Sequence, residues 1–177
     1  LPSQLSGGMV KRAGLARALI WANTTLGVEN VVHPCAVLGG DPQDRAYDPN
    51  NPGTLEIGDR NIFREGASVN RSTHPGPPTR VGSDNFLMAS AHLGHNVQIG
   101  DRNILSNTAC VAGHGHLGSG CVLSAAALIH QFCTVGDGVM FQGLSAISQH
   151  VPPYVIVPGK NLISGLNRVC VRRNPDI

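Results

Sequence analysis

Apolar residues recur at every sixth position along most of the chain. Six-residue spacing scatters side chains around an α-helix, but it gives each of a succession of short strands one buried residue. A glycine also follows the series every 18 residues, from Gly82 to Gly136. The pattern predicts an all-β fold, a parallel β-helix whose 18-residue coils each hold three strands. The series is Val81, Leu87, Leu93, Ile99, Leu105, Val111, Leu117, Leu123, Ile129, Val135, Phe141 and Ile147.

A second column of small residues lies two positions ahead of the first. Stacked coils bring residues that are 18 apart in sequence to the ordinary strand spacing of about 4.8 Å. Both columns should therefore face inward and form the core. The second column is Ala91, Val97, Asn103, Ala109, Gly115, Cys121, Ala127, Cys133, Val139 and Ser145.

Two segments interrupt the repeat and are predicted to be loops. Residues 39–53 are too rich in Gly, Pro, Asn and Asp for a strand. Between Ile57 and Val81 the spacing is 24, one coil plus one hexad, so residues 73–78 should leave the coil and return. Loops on a rigid scaffold are frequent sites of function. After Ile147 the repeat stops, at Pro152 and Pro153.

Residues 1–22 do not share the repeat. Ser6 is placed to cap a helix with Met9, Ala13, Ala16 and Ile20 near one face. We therefore predict a short N-terminal α-helix, separate from a β-helix domain of residues 23–177.

Composition narrows the choice of function. A hydrophobic content of 41% with 14% charged residues excludes disorder, and a net charge of +2 gives nucleic acid no electrostatic attraction. No apolar run is long enough for a membrane span, and the start of the chain does not have the pattern of a secretory signal, so a cytoplasmic setting is expected. Five cysteines without CxxC spacing favour reduced thiols.

Five histidines fall on the last third of their coils, so stacking should line them along one edge of the β-helix. Neighbouring imidazoles can supply a general base or ligate zinc, and their spacing alone leaves both chemistries open. The zinc alternative would be a hydrolase, such as a γ-class carbonic anhydrase. The five are His92, His95, His114, His116 and His130.

Several stretches carry a resemblance to a known family: GGDPQDRAY at 39–47, EIGDRNIFREGASVNRST at 56–73, VGSDNFLMASAHLGHNVQIGD at 81–101, HQFCTVGD at 130–137 and VPPYVIVPG at 151–159. They resemble the UDP-N-acetylglucosamine O-acyltransferases, hexapeptide-repeat acyltransferases that catalyse the first step of lipid A biosynthesis. The resemblance implies a left-handed β-helix, an exception to the right-handed crossover rule. It also implies a homotrimer with active sites between subunits, which uses no cofactor or metal. The implied reaction moves an (R)-3-hydroxyacyl group from acyl carrier protein to the 3-hydroxyl of UDP-N-acetylglucosamine.

The resemblance also assigns roles to individual residues. His95, the second histidine of Ala91-His92-Leu93-Gly94-His95, would be the general base, and the backbone N–H of Gly113 the oxyanion donor. Gly143 occupies the position that limits acyl-chain length, and a glycine there leaves room for a longer chain. Residues matching those that contact the sugar are Asp44, His92, His114 and His130; those matching nucleotide contacts are Gln131, Asn167 and Arg173.

The chain departs from the family pattern at several points. Asn96 follows His95 where the family usually has Asp, and a neutral amide can hold the wrong imidazole tautomer and stabilise the imidazolium less, so slower catalysis is expected. Asn70 stands where His is common, and Ser124 and Ala125 replace a usual Gly pair. The family's first coils and its C-terminal helical domain also have no counterpart. The alternative is therefore a catalytically inactive trimeric remnant that at most binds the nucleotide sugar.

Residues 5–19, Leu-Ser-Gly-Gly-Met-Val-Lys-Arg-Ala-Gly-Leu-Ala-Arg-Ala-Leu, resemble the signature motif of ABC transporter ATPases. The chain has no GxxxxGK[ST] sequence to hold ATP phosphates, which argues against ATPase activity. We interpret this segment as fusion-derived or as a helix that caps the open end of the coil.

Overall fold

The computed structural model describes residues 18–173. Within this range the chain forms 21 strands and one helix, α1, at Arg168–Arg173. The strands are β1 Leu19–Ile20, β2 Thr24–Leu26, β3 Val31–Val32, β4 Val37–Gly40, β5 Leu55–Ile57, β6 Ile62–Phe63, β7 Ser68–Asn70, β8 Thr79–Val81, β9 Phe86–Leu87, β10 His92–Leu93, β11 Gln98–Ile99, β12 Ile104–Leu105, β13 Cys110–Val111, β14 His116–Leu117, β15 Val122–Leu123, β16 Leu128–Ile129, β17 Thr134–Val135, β18 Met140–Phe141, β19 Ala146–Ile147, β20 Val155–Gly159 and β21 Leu162–Leu166.

Successive strands join three different sheets in turn. Sheet 1 has the order β1-β4-β7-β10-β13-β16-β19, sheet 2 the order β17-β14-β11-β8-β5-β2, and sheet 3 the order β21-β20-β18-β15-β12-β9-β6-β3. All the strands but β21 pair in parallel, and from β8 to β19 the register is 18 residues, as in His92 with Cys110 and Cys110 with Leu128. The left-handed parallel β-helix predicted from the sequence is confirmed.

The core consists of the two columns that the sequence predicted. All twelve residues of the first column are at most 4% exposed. The second column is also buried, including Asn103 and Ser145. Because each coil encloses only a few side chains, the aromatic residues Phe63 and Phe141 are the largest that are fully buried.

A ladder of asparagines runs through this core, and its side-chain oxygens accept backbone N–H groups from coil to coil, although Asn103 Nδ2 has no hydrogen-bond partner among the described residues. The Oδ1 atoms of Asn61 and Asn85 each accept the backbone N–H of the next asparagine at 2.9 Å, and Asn103 Oδ1 accepts from Cys121 N–H at 2.8 Å. Buried polar groups are tolerated when they are hydrogen-bonded. The ladder thus satisfies corner N–H groups from coil to coil.

Both predicted loops leave the coil and return to it in register. Across the first loop, Thr24 of β2 pairs with Leu55 of β5. The predicted start of this loop at residue 39 is wrong, because β4 extends to Gly40, which pairs with Asn70 after a register shift. Around the second, Leu55 of β5 pairs with Thr79 of β8. The parallel pairing of the coils therefore continues beyond both insertions.

The two ends depart from the repeat in different ways. The predicted helical segment of residues 1–22 is wrong at its end, because Leu19–Ile20 is a strand paired with Val37 and Leu38. Residues 1–17, which include most of the ABC signature-like motif, lie outside the described residues. At the other end β20 and β21 form an antiparallel pair, followed by α1. No helix within residues 18–173 is long and apolar enough to cross a membrane.

Leu105→Ala should destabilise the protein strongly. Leu105 is fully buried, and truncation of a buried leucine costs about 2–5 kcal/mol through lost burial and the cavity left behind. The matched control is Leu162→Ala, since Leu162 is 55% exposed. Urea unfolding followed by circular dichroism would measure both variants; equal midpoints would contradict the description of the core.

Candidate active site

Four of the predicted histidines meet at the edge between sheets 1 and 2. His92 lies in β10 of sheet 1, and His116 lies in β14 of sheet 2. His95 and His114 occupy the turns that join these sheets in adjacent coils, with ring centroids 5.2 Å apart and ring planes at 86°. His130 directly follows β16 at the same edge, one coil further. Stacking thus produces the shared edge that the repeat predicted.

The His95 ring lies against the backbone of Gly113. Gly113 is 18 residues after His95 and so occupies the same corner of the next coil. A Cβ at Gly113 would lie 2.7 Å from both Cε1 and Nε2 of His95. Only glycine leaves room for the ring here. Among the described residues, the Gly113 N–H has no backbone acceptor, so this donor is available next to the imidazole.

His92 and His114 flank His95 in an environment that keeps them uncharged. Burial lowers the pKa of His92, and the neighbouring His95 lowers it further. Burial is also the main cause of the lowered pKa of His114, to which His95 contributes, while the Asp44 carboxylate acts in the opposite direction. Ser68 Oγ lies 2.8 Å from Nδ1 of His92. His92 and His114 therefore present neutral imidazoles at pH 7.

His114 is also held by an aromatic contact. Its ring stacks on Phe132 with centroids 4.7 Å apart and planes at 13°. Its backbone N–H donates to the carbonyl of His95 at 2.9 Å. The two turns that carry His95 and His114 are thus tied together through both main chain and rings.

These lowered pKa values predict that stability falls in mild acid. A histidine whose pKa is lower in the folded than in the unfolded state binds protons preferentially when unfolded, so the free energy of unfolding decreases as pH drops below about 6.5. His92→Gln should reduce this dependence, measured as urea midpoints at about pH 5.5 and about pH 7.5. The control is His33→Gln, outside the cluster. An unchanged dependence in His92→Gln would contradict the prediction.

Asp44 approaches the histidines on the loop after β4, and this loop is clamped to the coil. The guanidinium of Arg71, which is only 7% exposed, donates to Asp41 Oδ1 and to the hydroxyl of Tyr47 at 2.7 Å. Asn70 Nδ2 donates to the Asp41 carbonyl at 2.8 Å. The sequence analysis did not select Arg71 as a functional residue. The available signal was its position directly after a buried strand, where an arginine is unusual.

The loop of residues 73–78 adds a further wall to the site. His74 and Pro77 of this loop line a cavity of about 490 Å³ together with Asn96, Gln98, His114 and His116. Within residues 18–173 no group of three or more His, Cys, Asp or Glu side chains is arranged to hold a metal ion. Sequence reasoning did not select His74 as a site residue, because nothing local places it opposite His114.

His130, Gln131 and Gly143 lie on exposed turns near sheet 1. His130 lines an apolar cavity of about 240 Å³ with Leu128, Ala146 and Lys160. Gln131 follows it and is exposed. A Cβ at Gly143 would make only an ordinary 3.5 Å contact, with the Ala125 carbonyl, so no side chain among residues 18–173 fills the space beside Gly143.

Asn167 and Arg173 are not near the histidines of the same chain. Asn167 caps α1, since its Oδ1 accepts from Cys170 N–H at 3.2 Å, and its Nδ2 donates to the Gly138 carbonyl at 2.8 Å. Both residues line a cavity of about 490 Å³ on the outer face of sheet 3, beside Met140. Within one chain, the predicted nucleotide-contacting residues Asn167 and Arg173 therefore lie on a different face from Gln131.

Comparison with known proteins identifies close relatives, although no family model matches the chain. The acyl-[acyl-carrier-protein]--UDP-N-acetylglucosamine O-acyltransferase of Anaeromyxobacter sp. (strain Fw109-5) is 40% identical over 152 residues, covering 85% of this chain and 59% of the relative. The protein of the same name from Agrobacterium fabrum is 38% identical over 159 residues, covering 89% of this chain and 58% of the relative. The chain thus spans about three fifths of the length of these curated relatives.

Solved structures agree with this result. A UDP-N-acetylglucosamine acyltransferase from Bacteroides fragilis superposes with a TM-score of 0.83 at 38% identity, covering 89% of this chain and 62% of that one. The UDP-N-acetylglucosamine acyltransferase from Campylobacter jejuni gives a TM-score of 0.74 at 30% identity, covering 88% of this chain and 75% of that one.

Proposed function

We propose, because the chain belongs to the UDP-N-acetylglucosamine O-acyltransferase family, that it transfers an (R)-3-hydroxyacyl group from acyl carrier protein to the 3-hydroxyl of UDP-N-acetylglucosamine. This is the first step of lipid A biosynthesis, and we propose a cytoplasmic setting for it. The observation that carries the proposal is the imidazole of His95 lying directly over the backbone of Gly113. A base and an oxyanion donor side by side are what acyl transfer to a hydroxyl requires.

In this mechanism Nε2 of His95 takes the proton from the sugar 3-hydroxyl as that oxygen attacks the thioester carbonyl. The Gly113 N–H donates to the carbonyl oxygen, which carries the negative charge in the tetrahedral intermediate. The carbon–sulfur bond then breaks, and the imidazolium returns its proton to the leaving thiolate. The products are the 3-O-acylated sugar nucleotide and the free thiol of the carrier protein.

The remaining site residues would hold the substrates. Asp44, His92, His114 and His130 would contact the sugar, whose hydroxyl groups suit neutral imidazoles and a carboxylate as hydrogen-bond partners. Gln131, Asn167 and Arg173 would contact the nucleotide, where a guanidinium suits a pyrophosphate. Gly143 would limit acyl-chain length, and the open space beside it favours a longer chain.

A homotrimer is part of this proposal. Asn167 and Arg173 lie on sheet 3, away from the histidine edge, so a site that uses both sets needs two copies of the chain. Large apolar side chains are also exposed on sheet 1 and on the turns beside it: Leu128 at 47%, Phe132 at 62% and Leu144 at 84%. In the proposed trimer these side chains would be buried between subunits, as apolar surface commonly is at protein interfaces.

The test is to incubate the purified chain with (R)-3-hydroxyacyl-acyl carrier protein and UDP-N-acetylglucosamine. Mass spectrometry should detect the acylated sugar nucleotide, and sedimentation should give the mass of three chains. The chain spans about three fifths of the length of its curated relatives, and the second candidate function is binding of the nucleotide sugar without acyl transfer. A higher melting temperature with UDP-N-acetylglucosamine, without any product, would support that alternative.

A further inference from the structure

Asn96 connects His95 to the loop of residues 73–78. Its Oδ1 atom lies 3.0 Å from Nδ1 of His95 and 3.2 Å from the backbone nitrogen of Thr73. We propose that Thr73 and Asn96 are positioning residues that hold His95 in the tautomer with its proton on Nδ1, which leaves Nε2 as the base. This inference rests on the proposed function in one respect, that the proposed mechanism makes His95 the base.

The orientation of the Asn96 amide follows from the partner it faces. A backbone N–H is only a donor, so the Asn96 atom opposite Thr73 N must be the carbonyl oxygen. The reverse orientation would place the NH₂ group against another donor and lose this hydrogen bond. The Thr73 hydroxyl lies at 3.2 Å from the same oxygen and can donate to it as well.

The tautomer of His95 follows from that orientation. The Asn96 oxygen is only an acceptor, so Nδ1 of His95 must carry the hydrogen that the 3.0 Å contact requires. A neutral imidazole has one N–H, and Nε2 therefore keeps its lone pair. The same Nε2 atom lies over Gly113, beside the donor that the proposed mechanism uses.

The Asn96 main chain is fixed as well. Its N–H donates to Oγ1 of the fully buried Thr79 at 2.7 Å, and its φ of 59° is left-handed, a conformation that asparagine adopts more readily than most residues. The equivalent residue of the next coil is His114, whose N–H donates to a backbone carbonyl rather than to a side chain.

The inserted loop supplies the donor that orients the amide. Thr73 lies where the chain leaves the coil, and its N–H donates to the Asn96 side chain. The loop is anchored at its other end by Gln98 Nε2, which donates to the Pro78 carbonyl at 2.6 Å. The neutral amide of Asn96 therefore holds the productive tautomer of His95 in this proposal, contrary to the expectation from the sequence, because the Thr73 N–H fixes the orientation of the amide.

The experiment reads the tautomer directly. Protein with ¹⁵N-labelled histidine, free of substrates and at a pH where His95 is neutral, gives ring nitrogen shifts that identify the protonated nitrogen, and His95→Gln assigns the signals. We expect a proton on Nδ1 in the unaltered protein and in Asn96→Asp. In Asn96→Ala the Nε2–H form should gain population. The backbone should tolerate this change because Ala126 adopts a φ of 57° in another corner.

The matched control is Asn107→Ala, which removes an exposed asparagine from a different corner and should leave the His95 signals unchanged. A dominant Nε2–H form in the unaltered protein, or the same tautomer in Asn96→Ala, would overturn the proposal. Because no substrate is used, the result is independent of turnover. An inactive chain with the proton on Nδ1 would reject the proposed function alone, and an active chain with the proton on Nε2 would reject this inference alone.

Discussion

Replacing His95 with alanine is expected to lower kcat for acyl transfer by about 10²–10⁴-fold, the usual contribution of a positioned general base. The substitution removes the proton acceptor beside Gly113 but leaves the buried columns untouched. Circular dichroism and sedimentation should therefore match those of the unaltered protein. The measurement is the initial rate of formation of acylated UDP-N-acetylglucosamine at saturating concentrations of both substrates.

The control for this experiment is His33→Ala. His33 lies outside the cluster, where its Nδ1 is 3.3 Å from Oε1 of Glu65. Its replacement should leave the rate unchanged. If His95→Ala and the control formed product equally fast, His95 would not be the base and the proposed mechanism would be rejected.

Gly113→Ala is expected to reduce kcat by about 10²-fold without removing any catalytic functional group. The new Cβ would lie 2.7 Å from Cε1 and Nε2 of His95, closer than carbon and nitrogen atoms can approach, so the ring must move. A displacement of about 1 Å in a reacting group can cost about 10²-fold in rate. The same assay measures the effect.

Gly159→Ala is the matched control, because an added Cβ there would have no atom within 4 Å. It should leave the rate unchanged. A Gly113→Ala protein with the full rate would show that the contact between Gly113 and the His95 ring has no catalytic importance.

The interior of the fold could be predicted from sequence because one rule generates it. Each buried residue of the first column determines the position of the next, so the pattern from Val81 to Ile147 fixes both register and core. The rule ends where residues stop repeating. The antiparallel pairing of Val155 with Leu166 has no periodic signal. The strand of Leu19 and Ile20 has none either, because two residues are too few to show a strand pattern.

The site was predictable to the extent that it shares the repeat. The spacing of 19 between His95 and His114 brings them to the same edge, and the family resemblance supplied their roles. The clamp of Arg71 on Asp41 depends on how a long loop folds back, which no spacing encodes. Likewise, the contact of Thr73 with Asn96 arises only because the second loop leaves the coil at that residue.

The return of both loops to the same register has an evolutionary consequence. Because Thr24 pairs with Leu55 across the first loop and Leu55 with Thr79 across the second, this solenoid accepts inserted residues between strands while the following coil keeps its pairing, as expected when each repeat contacts only adjacent repeats. Selection can therefore lengthen, shorten or exchange such excursions independently of the scaffold. Substrate preference in this architecture is free to diverge while the framework that carries it stays constant.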